Sequence, residues 1–136
     1  MPEYKIKIVA IDDDEAMLDV YETGLFAEDY EVKTFSDPKK GKEYLLSDNP
    51  ELPDVVLMDI MMPGIDGISL MKDVHSNPKT THIPIIAVSG LNDAATLNDA
   101  LLFGAMDYLV KPFAIDSLKA KINKAWELNK KRSSKK

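Results

Sequence analysis

Five times along this chain a short apolar run rich in β-branched residues gives way to a segment with helical spacing. That alternation constrains the fold more than any other feature. Tyr4 to Ile11 is the first run and stops at Asp12-Asp13-Asp14. Over 15–27, Met17, Leu18, Tyr21 and Leu25 recur at helical spacing. Tyr30 to Phe35 reads as a second strand. Asp37-Pro38 then reads as N-cap and first helical residue, opening a helix through Leu46. Asp54 to Met58 is a continuous apolar strand ending at Asp59, and a loop with Pro63, Gly64 and Gly67 leads to a helix over 67–76. Ile83 to Val88 ends at Ser89-Gly90. Asp93 caps a predicted helix over 94–103, closed by Gly104. Met106 to Val110 ends at Lys111-Pro112, and a last helix runs from Asp116 to Lys130. Strict alternation predicts an α/β fold, a doubly wound five-stranded parallel sheet with five helices on its two faces. Near-continuous apolar strands fit, because a strand buried on both faces need not alternate.

Composition narrows the class. At 136 residues with 45% hydrophobic content, one domain with a sizeable core is the expectation. Apolar runs are far shorter than the ~20 residues that span a bilayer, and MPEYKIK lacks the apolar stretch of a signal peptide. With no Cys, thiolate nucleophiles, thiolate zinc sites and disulfides are excluded. A cytoplasmic location is expected, without membrane association. The net charge of -6 disfavours direct nucleic-acid binding. That average hides a split. Residues 117–136 hold eight Lys or Arg against one Glu, and residues 1–116 hold nine basic against 22 acidic groups. Residues 4–130 read as the domain and 131–136 as a basic tail or truncated linker.

The chemistry gathers at one edge. Asp12 and Asp13 follow the first strand, Asp59 the third, Ser89 the fourth and Lys111 the fifth. In an open parallel sheet of order 2-1-3-4-5 the order reverses between strands 1 and 3, and ligands bind outside the strand ends there. Asp12, Asp13 and Asp59 converge at that point. Ser89 is one strand spacing of ~4.8 Å away, and the long Lys111 stem spans two. Three converging carboxylates repel one another and take up protons unless a cation intervenes. Mg²⁺ (or Mn²⁺) suits such oxygen donors and keeps room for water and phosphate. A carboxylate beside that ion suits attack on phosphorus and an aspartyl phosphate.

These residues carry a resemblance. IVAIDDDE (8–15), PDVVLMDIMMPGIDG (53–67), IPIIAVSG (83–90) and GAMDYLVKPF (104–113) resemble, in order and spacing, the motifs of the receiver domain of two-component response regulators, a CheY-like, flavodoxin-like fold. The resemblance implies Asp59 as phosphoacceptor, Asp13 as direct metal ligand, Asp12 as its acidic partner and the Met61 backbone carbonyl as a further ligand. It implies Ser89 as the switch hydroxyl, Tyr108 as the rotating aromatic, Lys111 as the phosphate-binding ammonium, and a cis Lys111-Pro112 peptide. A histidine kinase or a histidine phosphotransfer protein is the implied donor, acting on a domain that catalyses only its own phosphorylation and dephosphorylation. The implied output is an unknown effector at the helix 4–strand 5–helix 5 face, with the chain a monomer or a weak phosphorylation-dependent dimer. Leu97, Leu101 and Leu102 predict an apolar patch there. Met61 and Leu91 flank the implied path of hydrolytic water, and their apolar side chains predict slow self-dephosphorylation.

Two rival functions compete. Asp12-x-Asp14 after an apolar strand resembles the opening of a haloacid-dehalogenase-type phosphatase, but Ala16 stands where that motif wants Thr or Val, and Asp59 is left without a role. An unphosphorylated interaction module on the same fold does not need the full set of acids, hydroxyl and Lys. Asp14 reads as facing solvent or the helix N-terminus, and His75 and His82 as surface residues flanking SNPKTTH. The tail reads as a helix C-terminus with favourable charge. The length matches one receiver without an effector, and a stand-alone regulator, a phosphorelay intermediate and a receiver excised from a larger regulator or hybrid kinase are all open.

Overall fold

The computed structural model describes residues 5–26, 29–47, 51–62, 65–90 and 94–134, with backbone alone for 61–62, 65–66 and 131–134. The sheet strands are β1 (Ile6–Ile11), β2 (Tyr30–Phe35), β3 (Val55–Asp59), β4 (Ile85–Ser89) and β5 (Asp107–Val110). All pair in parallel, in the order β2-β1-β3-β4-β5. The helices are α1 (Glu15–Gly24), α2 (Pro38–Leu46), α3 (Gly67–Ser76), α4 (Ala94–Leu102) and α5 (Ile115–Ser134). The doubly wound α/β fold expected from the alternation is the fold observed.

The two faces of the sheet carry separate apolar layers. Val9, Ile11, Val56, Met58 and Ile85 pack beneath Leu45 of α2, Met71 and Val74 of α3 and Leu97 and Ala100 of α4. Ile8, Ala10, Leu57 and Val88 pack beneath Leu18 and Tyr21 of α1 and Leu118 and Ile122 of α5. Every residue of β3 and β4 is buried, as central strands covered on both sides must be.

Local chemistry sets the helix starts. Asp14 Oδ1 accepts from Ala16 N and Asp37 Oδ1 from Lys39 N, each at 2.9 Å, so both acids satisfy a free helical N–H. Pro38 follows Asp37 as the first helical residue, where a missing N–H costs nothing. Gly67 opens α3 against the chain that leaves β3. A Cβ there would stand 2.4 Å from the Ile60 Cα, so the close approach requires glycine.

Several boundaries differ from the sequence reading. α1 ends at Gly24, short of the predicted 27, with the Leu25 N–H bonded to the Tyr21 carbonyl. β4 starts at Ile85 because Pro84 has no N–H for the ladder, although Ile83 is buried. α4 stops at Leu102, and Gly104 with φ +135° carries the turn. α5 runs to Ser134, past the predicted end at Lys130. An antiparallel ladder pairing Met61 with Asp66 and Met62 with Ile65 fills the loop after β3. Tyr4, Leu91 and the expected cap Asp93 lie outside the described residues. Among the described residues no helix is long and apolar enough to cross a membrane.

Candidate functional site

Register builds the site. Ile11 pairs with Met58 and Asp59 with Val88, so Asp12 and Asp59 leave adjacent strands side by side, with Ser89 one residue beyond Asp59's partner. Carboxylate oxygens of Asp12, Asp13 and Asp59 all lie within 4.8 Å of one another. Asp12 is fully buried, Asp59 is 4% exposed, and Asp13 faces solvent. The Lys111 Nζ donates to Asp12 Oδ2 at 2.9 Å and stands 3.5 Å from Asp59 Oδ2, an ion-pair distance. The other oxygen of Asp12 accepts from the Asp14 N–H at 2.9 Å. Both oxygens of the most buried acid are therefore engaged.

Burial works against the Lys111 charge. The hydrogen bond and charge of Asp12, then those of Asp59, outweigh it, and the pKa sits above the ordinary lysine value. The Tyr21 phenol is pushed far up, first by burial and then by the charges of Asp12 and Asp59. It stays neutral at any working pH.

Ser89 is fully buried at the end of β4, and its carbonyl accepts from the Lys111 N–H at 2.7 Å, tying the two strand ends together. The Lys111-Pro112 peptide is cis. Tyr108 is 38% exposed, with the Lys121 Nζ 5.7 Å from its ring centroid. Lys121 also pairs with Asp107 Oδ1 at 3.1 Å.

The fold thus gathers Asp12, Asp13, Asp59 and Lys111 at one point and places Ser89 beside them. Met61 begins the short ladder two residues after Asp59, its backbone fixed by pairing with Asp66. Tyr108 stands outside the acid cluster. Asp14 caps α1, and His75 and His82 are exposed, as expected. The predicted apolar patch divides. Leu97 turns into the core at 5% exposure, because its stripe of α4 covers the sheet, while Leu101, Leu102 and Phe103 face out at 39%, 76% and 40%. Sequence reading missed the stack of Tyr21 on Phe113, centroids 6.0 Å apart at 11°. Its only signal was an aromatic on an apolar helix face.

Three carboxylates with oxygen donors this close fit a hard divalent cation, and Lys111 offsets one of their three charges.

Known proteins share these features. Residues 8–123 match the family described as the response regulator receiver domain. The chain is 39% identical over 120 residues to the protein named "Probable transcriptional regulator ycf27" of Guillardia theta, covering 88% of this chain and 45% of that one. It is 38% identical over 106 residues to response regulator PleD of Caulobacter vibrioides, covering 78% of this chain and 23% of that one. The chain therefore spans less than half the length of these relatives. The crystal structure of a CheY-like receiver domain protein from Methanospirillum hungatei superposes with a TM-score of 0.83 at 27% identity, covering 96% of this chain and 99% of that one. Receiver domains hold Mg²⁺ in an acidic pocket, and this chain gathers the carboxylates of Asp12, Asp13 and Asp59 at the β1 and β3 ends. By sequence match, sheet order and site geometry together, this chain belongs to the response regulator receiver family, the signalling domains of two-component systems.

Proposed function

We propose that Asp59 is the phosphoacceptor of a switch driven by a histidine kinase or a histidine phosphotransfer protein. One carboxylate oxygen of Asp59 attacks the phosphorus of a phosphohistidine. The P–O bond forms, the P–N bond breaks, and its electron pair returns to the imidazole. Asp12, Asp13, Asp59 and the Met61 carbonyl would hold the Mg²⁺, which supplies positive charge to the phosphoryl oxygens. The Lys111 ammonium and the Ser89 hydroxyl stabilise those oxygens as charge builds on them. The convergence of three carboxylates on the Lys111 Nζ carries this reading. Complete burial of Asp12, with both its oxygens hydrogen-bonded, counts against Asp12 as the nucleophile.

Output follows through the α4–β5–α5 face. Ser89 moves toward the phosphoryl group, Tyr108 turns inward from its exposed position, and a pre-existing equilibrium shifts. Leu101, Leu102 and Phe103 supply apolar area for an effector at that face. The side chain of Met61 and all of Leu91, on which slow self-dephosphorylation was expected, lie outside the described residues.

Phosphotransfer from candidate kinases, read by intact mass, tests the chemistry. One added phosphoryl group is expected, lost in Asp59→Asn. Phosphate that persists in Asp59→Asn and vanishes in Asp12→Asn assigns the haloacid-dehalogenase-type chemistry instead. Chemical-shift mapping that leaves residues 94–110 unmoved on phosphorylation overturns the output face.

A further inference from the structure

Lys111 reaches its acids from a loop, and a loop places a flexible stem only as well as its own ends are held. One end is held by the strand edge, where the Lys111 N–H donates to the Ser89 carbonyl at 2.7 Å. Beyond Pro112, which is exposed, the half-buried Phe113 is the first side chain to pack against the core. Its ring lies nearly parallel to that of Tyr21, centroids 6.0 Å apart and planes 11° from each other. Tyr21 itself is 1% exposed, so its ring cannot swing without disturbing the core around it.

Tyr21 also sits on the helix that starts beside the buried acid. α1 begins at the Asp14 cap, and the Asp14 N–H bonds to Asp12 Oδ1 at 2.9 Å. A single helix therefore connects the buried acid to the aromatic that grips the Lys111 loop.

We propose that Tyr21 is a positioning residue for Lys111: its ring, clamped on Phe113, sets the loop that carries the ammonium to Asp12 and Asp59, and with it the rate at which Asp59 accepts a phosphoryl group. This inference rests on the reading of Asp59 as phosphoacceptor. The ring, not the hydroxyl, performs the role, because the contact with Phe113 is ring on ring.

The test labels the full chain with acetyl phosphate and Mg²⁺ and follows the phosphorylated fraction by intact mass. Tyr21→Phe is expected to label within about twofold of wild type, since it keeps the stack. Tyr21→Leu is expected to label about tenfold more slowly or worse, the scale of a sub-ångström displacement at a reacting centre. In a Lys111→Met background the same Tyr21→Leu change is expected to cost nothing further, because no ammonium is left to place. A general loosening of the fold would instead slow both backgrounds equally, and that outcome overturns the proposal. So does a folded Tyr21→Leu chain that labels at the wild-type rate. Should Tyr21→Leu fail to fold, Phe113→Leu takes its place and must show the same loss and the same dependence on Lys111. A wild-type chain that takes up no phosphoryl group overturns the reading of Asp59 and this inference with it. Labelled wild type beside an equally labelled Tyr21→Leu overturns the clamp alone.

Discussion

The Lys111 ammonium is bound more closely to Asp12 than to Asp59, at 2.9 Å against 3.5 Å. The cation therefore compensates the fully buried acid first and the proposed phosphoacceptor second. Its counter-charge is a structural requirement of the metal-free state, since removing one partner of a buried pair strands the other.

Lys111→Met is expected to destabilise the metal-free protein by about 3 kcal/mol, the low end for a broken buried pair, because the Lys111 side chain keeps 20% exposure. The pH dependence has a definite sign. The folded pKa of Lys111 is raised, so its contribution is complete below the ordinary lysine value of 10.5 and fades as pH climbs through the higher folded value. Urea unfolding in chelator is expected to show a constant gap between wild type and variant from about pH 7 to about pH 9, narrowing only above the lysine range. A gap that opens or closes near neutrality would assign the effect to another group.

Asp59→Asn is expected to do the opposite in chelator. Asp12, Asp13 and Asp59 share a space where their oxygens lie within 4.8 Å, and one Lys offsets one of three charges. Neutralising one acid relieves repulsion of about 1–2 kcal/mol, the Coulomb scale for charges near a protein surface with partial screening. Saturating Mg²⁺ is expected to reverse the order. Wild type gains stability by binding, about 2.7 kcal/mol at a hundredfold excess over its Kd, and the variant gains less. Thermal melts of both proteins with and without Mg²⁺ check the crossover.

The sheet order, the five helices and the acid cluster were legible because each rests on residues close in sequence or on a rule of topology. Apolar runs ending in Asp, Ser or Lys place those residues at one edge once the strands are parallel. Pro38 behind Asp37 and Gly104 behind α4 announce helix ends by backbone chemistry alone. The Tyr21 stack on Phe113 was hidden because the two residues are 92 positions apart and only the packing of α1 on the β5–α5 connection brings them together. Leu97 was assigned to the same patch as Leu101 and Leu102 because composition does not reveal which stripe of a uniformly apolar helix covers the sheet. The ladder at Met61–Met62 carries too few residues to produce a periodic signal.

Gly67 and Gly90 make a contrasting pair. An Ala Cβ at Gly67 would lie 2.4 Å from the Ile60 Cα, a backbone atom, so the clash is relieved only by shifting α3 away from the end of β3. Gly67→Ala is expected to cost about 1–3 kcal/mol, as overpacking does, and to perturb the chain just beyond Asp59. At Gly90 no atom of the described residues lies within 4 Å of the added Cβ, so Gly90→Ala is expected to stay within about 0.5 kcal/mol of wild type. Denaturant midpoints at equal m-values measure both. Equal effects at the two sites would contradict the close approach at Ile60.

Tyr108 offers a graded test of the switch. Its ring is 38% exposed, with the Lys121 ammonium 5.7 Å from the centroid and the same ammonium 3.1 Å from Asp107. A cation held over an exposed aromatic contributes about 0.5–1 kcal/mol. That energy favours the outward position alone, because the ammonium is anchored by Asp107 and cannot follow the ring inward. Removing it with Lys121→Gln is expected to raise the inward population about two- to fivefold in the unphosphorylated protein, the ratio that such an energy difference sets. Hydroxyl-radical footprinting of Tyr108 measures its exposure directly. Protection is expected to rise in Lys121→Gln before labelling and to converge with wild type once Asp59 is phosphorylated. Unchanged protection in the variant would mean that the Lys121 contact does not bias the ring.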